Sequence, residues 1–519
     1  MSLGAPAARE KSVASSLDDP IDRMRELPWS NRSLIEFTGL QVAIGLTLFA
    51  AVWLSVLAFT SLSPPADNIE QLTWVRSLEW GYYKHPPLPT WLLWLPVKLF
   101  GLSAWASYGM GAVMTLGALA IMWRLLVTLR GPAYAGLALL AALCITYYNG
   151  RLNYYNHNIV LMFIATASAA LCWQAFATRR LRWWIALGVA IGLGLLSKYQ
   201  IAVTVASVLA FAIHQRAWRD PAHRVGLLCA TLVALLMFTP HIDWLRAHDF
   251  GPIEYAEDTS IGIGLGALAR LKNSLGWLVD QLITRGFPAF AMLAVAAKPL
   301  RKLSRMTLAE SRSQAAPHRN SAKALIYAWG VLPLCFMPLV GVVTGAELPA
   351  HWGTPFLLFA VPAAMELAPP RFWDRADLSK VVCAFLVIQA VVMARDYVTS
   401  PYGMALLANN HWRNFNSQAF EQRVGDAART ELKGPVRIVI GEKLMAETLA
   451  LQLPERPLVL IDGRFDISPW LERDAVERCG AVELGPTVTL QGGTPVGSLL
   501  PTMSWRVLMP RQGALPCAL

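Results

Sequence analysis

Apolar runs of about 15 to 25 residues recur through the first 400 positions, near the length an α-helix needs to cross the hydrocarbon layer. Spans are expected at 37–62, 104–126, 132–149, 157–177, 183–197, 200–214, 225–240, 276–297, 324–344, 352–368 and 379–396, about eleven in all. The segment from Leu88 to Phe100 is also apolar, but it is short and holds Pro89, Pro96 and Lys98. It is predicted to lie in the interface without crossing. From Pro401 the pattern changes. Short apolar runs, VRIVIG and PLVLID, alternate with the helical KLMAETLALQL and with a helical run around Trp470 to Cys479, which predicts a small α/β domain.

Composition agrees with this pattern. Hydrophobic residues make up 55% and charged residues 15%, with a mean hydropathy of +0.42, outside the soluble globular range. The net charge of +11 is spread over short loops and is not clustered as a nucleic-acid partner would require. Its distribution encodes topology. Arg124/Arg130, Arg179/Arg180/Arg182, Arg216/Arg219/Arg224, the run from Lys298 to Lys323 and Arg371/Arg375/Lys380 fall on one side, which the positive-inside rule makes the cytoplasm. Basic clusters at both ends of Trp183 to His214 require an even number of crossings, so a break is expected at Ser197-Lys198-Tyr199. The expected divisions are a cytoplasmic segment 1–36, a transmembrane domain 37–400 with a first outer loop 63–103, and an outer domain 401–519. The polar N-terminus lacks the apolar core of a secretory signal, so the first span is expected to be retained.

Seven cysteines divide by the same topology. Cys144, Cys172, Cys229, Cys335 and Cys383 fall in apolar spans, where packing is the ordinary role. Cys479 and Cys517 lie in the outer domain, where a disulfide is permitted and expected.

Candidate chemistry collects at the outer ends of the spans. His85, His157, His241, His248 and His351 sit there with Asp67, Lys84, Lys198, Arg246, Asp249 and the tyrosines Tyr82, Tyr83, Tyr154 and Tyr155. Each alone reads as an interface anchor. Their one-sided clustering reads as a site. A carboxylate beside basic residues at a lipid boundary suits transfer of a group from a phosphate-linked lipid: Lys84, His85 and Lys198 would hold the leaving phosphate, and Asp67 would accept a proton from the attacking hydroxyl.

These residues also fall in a familiar order. Asp67, then W-G-Y-Y-x-H-P-P-L about fourteen residues on, Ser197-Lys198-Tyr199, Pro240-His241-Ile242-Asp243-Trp244, His248-Asp249-Phe250 and His351-Trp352 resemble the bacterial GT-C fold transferases of the glycosyltransferase family 39/83 type. That group includes the protein O-mannosyltransferases and the aminoarabinose transferases. The tail motifs Ser468-Pro469-Trp470 and Cys479-Gly480-Ala481 are also similar to this group.

The resemblance implies a polytopic α-helical GT-C enzyme of the bacterial inner membrane with its site facing the periplasm. It implies inverting transfer of a hexosyl or pentosyl unit from a polyprenyl-phosphate donor, resembling undecaprenyl phosphate, to a lipid, glycan or protein acceptor. Asp67 takes the catalytic position. Tyr82, Tyr83, Lys84, His85, Asn158, Lys198, His248 and His351 are the expected donor-phosphate or substrate contacts.

Two departures stand out. Asn68 follows Asp67 where many members carry Glu, and Asn158 replaces a second Asp. With fewer carboxylates the site suits a hard divalent cation less well, and the candidate ligands are Asp67, Glu70 and Asp249. Two alternatives stand beside transfer: a transporter or flippase of lipid-linked sugars, and a non-catalytic member of the same fold.

Overall fold

The computed structural model describes residues 36–260, 265–297, 317–373, 376–404, 406–407, 411–513 and 515–517. The expected cytoplasmic segment, apart from Glu36, and most of the charged stretch 298–323 lie outside the described residues.

The first helix, α1 (Gly39–Phe59), begins at a reciprocal cap: the Thr38 hydroxyl accepts from the Gln41 amide while the Gln41 side chain accepts from the Thr38 amide at 2.9 Å. It carries no charge and leaves Leu40, Ile44, Leu48 and Val52 exposed, as a helix against lipid does. A short helix α2 (Ala66–Trp74) and α3 (Leu88–Phe100) build the connection between α1 and the next long helix. Then follow α4 (Ala104–Arg130), α5 (Pro132–Ala142), α6 (His157–Thr178), α7 (Leu181–Leu195), α8 (Ile201–His214), α9 (Pro221–Ala247) and α10 (Gly251–Ser260). The series continues with α11 (Ala267–Val279), α12 (Phe287–Ala297), α13 (Pro317–Gly330), α14 (Leu332–Thr344), α15 (Ala360–Met365) and α16 (Leu378–Val398).

Among the described residues six helices are long and apolar enough to cross a membrane, or seven when the bent pair α11–α12 is taken as one span. The chain is a multi-pass membrane protein. The expected eleven would need the shorter α5, α7 and α8 as well, and the stretch 352–368. That last stretch is not one helix. A 3₁₀ turn (Ala350–Gly353) leads through irregular turns that contain Pro355 to α15, whose first turn holds Pro362, with Phe356, Leu357, Leu358 and Phe359 almost fully buried. Irregular backbone is tolerated at membrane depth only inside protein, which is where this segment runs. The span expected at 276–297 begins earlier, at Ala267. It bends by 55° after a π-helical turn, Asp280–Arg285, in which Arg285 pairs with Asp280 at 3.3 Å.

The break expected at Ser197-Lys198-Tyr199 is present as a turn between α7 and α8, and Leu88–Phe100 is a 13-residue helix with Pro at its start.

The C-terminal region opens with α17 (Ser417–Leu432), then β1 (Ile438–Gly441), α18 (Lys443–Gln452), β2 (Leu458–Ile461), α19 (Ala475–Cys479), β3 (Ala481–Pro486), β4 (Thr494–Pro495) and β5 (Met503–Leu508). The sheet order is β2-β1-β3-β5-β4. β1 runs parallel to β2 and β3, and the β5 pairings are antiparallel. The crossover through α18 is what a parallel β1–β2 pair demands. Cys479 and Cys517 form a disulfide with Cα atoms 4.8 Å apart.

This region is clasped to the segment between α1 and α3. Leu62 N donates to Arg413 O at 2.7 Å, Ser63 Oγ to Phe415 O at 2.7 Å and Ser417 Oγ to Leu62 O at 2.8 Å. Tyr83 packs against the sheet domain's own core of Phe420, Val439 and Leu449.

Candidate active site

Helix α2 carries the candidate base, and its polar side chains are tied to different neighbours. Asn68 donates to Ser107 Oγ at 2.9 Å and to Asn153 O at 2.8 Å, and its Oδ1 accepts from Tyr155 N at 2.9 Å. Glu70 accepts from Lys84 Nζ at 2.7 Å, and Gln71 Oε1 accepts from Thr90 at 2.9 Å. Both amide hydrogens and the oxygen of Asn68 are met, and a buried polar group satisfied in this way fixes one geometry; Gln71 Nε2 has no hydrogen-bond partner among the described residues. Asn68, the departure from the family pattern, is thus a structural clamp between α2 and the turn before α6.

Asp67 does not cap its own helix. The N-cap position is Pro65, with no side-chain cap, and Asp67 lies in the first turn. Its Oδ2 accepts from Asn156 Nδ2 at 2.7 Å. Asn156 is itself the N-cap of α6, its Oδ1 accepting from the amides of Asn158 and Ile159. One side chain therefore starts a helix and holds the carboxylate. Burial acts to raise the Asp67 carboxyl, but Lys84, the Asn156 hydrogen bond, His351 and His157 together hold it below the ordinary carboxylate value. Asp67 is a charged acceptor at neutral pH.

The loop that presents Lys84 and His85 is a closed turn: Tyr82 N donates to His85 O at 3.0 Å and His85 N to Tyr82 O at 3.2 Å. Gly81 precedes it because a Cβ there would lie 2.4 Å from the Trp244 ring. His241 fixes the other wall. Its Nδ1 donates to Trp80 O at 2.6 Å, which leaves Nε2 to accept from the Tyr199 hydroxyl at 2.9 Å. Leu88 N donates to Leu196 O at 2.8 Å, joining this loop to the turn that carries Lys198.

Lys198 is buried, donates to Asn158 Oδ1 at 2.8 Å and stands 5.0 Å over the Trp352 ring. The His85 and His157 rings are 4.1 Å apart. His351 sits on the 3₁₀ turn that Tyr147, Gln281 and Trp277 secure: Tyr147 donates to Ala350 O, Gln281 Nε2 to the same carbonyl at 3.0 Å, and Trp277 to Pro349 O at 3.2 Å.

Asp67, Lys84, His85, His157, Lys198 and His351 are close enough to act on one another electrostatically. Burial lowers the affinity of Lys84 for its proton, but Glu70 and then Asp67 outweigh it, so Lys84 stays an ammonium. Burial, with Lys198 next, pushes His351 down to about 4. Burial, His157, Lys84 and Lys198 drive His85 well below its ordinary value. His85 and His351 are therefore neutral, and standing positive charge for an anion comes from Lys84; burial draws Lys198 down to about 7, with Asp67 acting the other way, so its charge depends on the anion it meets.

Other expected contacts are not brought in. Tyr82 is buried, stacked 4.7 Å from Trp74, with its hydroxyl on Ser77 O. Tyr83 faces the sheet domain, its hydroxyl buried without a hydrogen-bond partner among the described residues. His248 is exposed, stacked 4.1 Å from Trp244 and bonded to that residue's carbonyl. Asp249 is exposed with φ +50°. Among the described residues no three His, Cys, Asp or Glu gather as they would to hold a metal ion.

On another face of Asp67 lies a cavity of about 460 Å³ that none of Lys84, His85, Lys198 or His351 lines. Its wall includes Arg151, Arg285, Arg395, Arg413 and Asp396. Sequence reading missed these arginines, which come from four separated segments. It also missed Asn156, although an Asn just before an apolar run is an N-cap signal.

The arrangement can be compared with known proteins. Over 89% of its length the chain superposes on 97% of the ArnT from Cupriavidus metallidurans bound to undecaprenyl phosphate, with a TM-score of 0.52 and 16% identity. The chain has the GT-C fold. Residues 84–244 match the family described as dolichyl-phosphate-mannose-protein mannosyltransferase, a stretch that begins at Lys84 and takes in Asn158 and Lys198 but not Asp67 or His351. The lipopolysaccharide core galacturonosyltransferase RgtA of Rhizobium johnstonii is 23% identical over 425 residues, covering 76% of this chain and 77% of that one. The lipid A galacturonosyltransferase RgtD of the same organism is 25% identical over 266 residues, 49% of this chain and 53% of that one. These relatives of the GT-C chain are glycosyltransferases.

Proposed function

We propose that the protein is an inverting glycosyltransferase that moves a sugar from a polyprenyl-phosphate donor to an acceptor at the outer face of the bacterial inner membrane. The observation that carries this reading is the position of Asp67. It is a carboxylate kept charged, held by Asn156, with Lys84 acting on it from one side and an open cavity on another.

The donor phosphate is taken by Lys84 and Lys198, with His85 and His351 as neutral neighbours, and Asn158 orients Lys198. Asp67 removes the proton of the acceptor hydroxyl as that oxygen bonds to the anomeric carbon. The bond from that carbon to the phosphate oxygen breaks, its electron pair leaves with the phosphate, and the proton stays on Asp67. Opposite-face attack gives inversion. The lysines stabilise the charge that grows on the leaving phosphate.

The undecaprenyl phosphate in the similar ArnT structure and the galacturonosyl group named for the relatives support a polyprenyl-linked hexosyl or pentosyl donor and a lipid or glycan acceptor. The division into a cytoplasmic segment 1–36, a transmembrane catalytic domain 37–400 and a periplasmic domain 401–519 follows from the same reading. Mass spectrometry of envelope lipids and glycans, with and without the gene, tests the function. Deletion should remove one sugar mass from one envelope component, whereas identical profiles in a strain shown to express the protein would contradict it.

A further inference from the structure

The cavity beside Asp67 carries an excess of positive charge that the transfer chemistry described above does not use. Arg285 is paired with Asp280 at 3.3 Å and Arg395 with Asp396 at 3.1 Å. Arg413 is bonded to neutral groups, Asp396 O at 2.9 Å and Thr399 Oγ1 at 2.6 Å. Arg151 lies over two aromatic faces, 5.2 Å from the Tyr154 ring centre and 5.9 Å from that of Tyr147. Among the described residues neither Arg151 nor Arg413 has a carboxylate partner. Asp396 is 5% exposed, and its Oδ2 has no hydrogen-bond partner among the described residues.

Two uncompensated guanidinium groups in a pocket at a membrane boundary are costly unless an anion comes to them. In-line displacement fixes which substrate occupies this pocket. The leaving phosphate and the attacking hydroxyl must lie on opposite faces of the anomeric carbon, with the base on the side of the hydroxyl. If Lys84 and Lys198 take the phosphate, the acceptor must reach Asp67 through the arginine-lined cavity.

Resting on that reading, we propose that this cavity is the acceptor site and that the acceptor is an anionic glycolipid, with carboxylate or phosphate groups flanking the hydroxyl that is glycosylated. Arg151 and Arg413 take those groups, since a planar guanidinium matches carboxylate and phosphate geometry. The free Asp396 oxygen accepts from a second hydroxyl of the same sugar and sets which hydroxyl faces Asp67.

The test uses the full chain in lipid nanodiscs. Envelope glycolipids from a strain lacking the gene are split by anion exchange into retained and unretained fractions. Each fraction is offered as acceptor with membranes of that strain as donor source, and transfer is read as a mass shift. Transfer should occur into the retained fraction. Arg151→Gln and Arg413→Gln should each raise the KM for that fraction roughly ten- to hundredfold, the size of a lost hydrogen bond to a charged group, while binding of undecaprenyl phosphate is unchanged. Lys84→Gln should weaken undecaprenyl phosphate binding. Transfer into the unretained fraction, or an unchanged KM in both arginine variants, overturns the proposal and leaves the transferase reading intact. No transfer into either fraction by protein that still binds undecaprenyl phosphate overturns the transferase reading, and the proposal falls with it.

Discussion

Asn156 does two jobs with one amide, and they can be separated by pH. Burial would raise the Asp67 carboxyl, and Lys84, Asn156, His351 and His157 reverse that, so the base form persists below the ordinary aspartate range near pH 3.9. Activity that needs the carboxylate is then lost only as pH falls through this lowered value. Asn156→Ala removes one of the groups that lower it, so the acid limb of kcat/KM should move to higher pH. Loss of the cap should also cost about 1 kcal/mol of stability. A merely structural Asn156 would lose stability with the acid limb unmoved. At this scale the sequence was partly legible: Asp67, Lys84, Lys198 and His351 do gather, because polar groups placed at the outer ends of apolar spans have few other neighbours to meet. Tyr82 and Tyr83 misled for the converse reason. An aromatic in a loop has two ways to be buried, against a ligand or against protein, and Trp74 and the sheet domain took them. Asn68 could not be read from sequence at all, since its three partners come from Ser107, Asn153 and Tyr155.

Between elements, the contact of α18 with α2 joins the sheet domain to the helix that carries Asp67. Glu447 on α18 is 2% exposed, with Oε1 lacking a hydrogen-bond partner among the described residues. Burial, followed by the nearby charge of Glu70, pushes its carboxyl well above the ordinary glutamate value, although Lys84 and Lys443 act the other way. With the folded-state value raised, the stability this group contributes is fully present below the ordinary glutamate value of about 4.3 and is lost as pH rises above it. Glu447→Gln removes that dependence. Its Tm should exceed the wild-type value at pH 8 and approach it near pH 4, at about 4–8 °C for each kcal/mol in a domain of this size. Equal pH dependence in the two proteins would show Glu447 ionised and paired in the folded state. Which elements exist was legible where hydropathy and backbone signals coincide, as at the Ser197–Tyr199 break and in the β1-α18-β2 run. It was not legible at 352–368, because hydropathy reports removal from water and a buried irregular segment is as apolar as a helix. Pro355 and Pro362 were the available warning.

For the whole molecule, alternation of basic loops predicts an N-terminus inside and a sheet domain outside. Reporter fusions at Arg319 and Gln452 should therefore report opposite sides of the membrane, and the same side for both would overturn the topology and the site built on it. The central claim is that Asp67 is the proton acceptor of a sugar transfer. It is tested most directly by the turnover of purified Asp67→Asn in lipid, with undecaprenyl phosphate binding measured in parallel. Asparagine keeps the size of the side chain and can still meet Asn156, but it cannot take a proton. The transfer rate should fall by about 10² to 10⁴ while the fold and donor binding persist. Turnover within a few-fold of the wild-type rate would contradict the account and move the base away from Asp67.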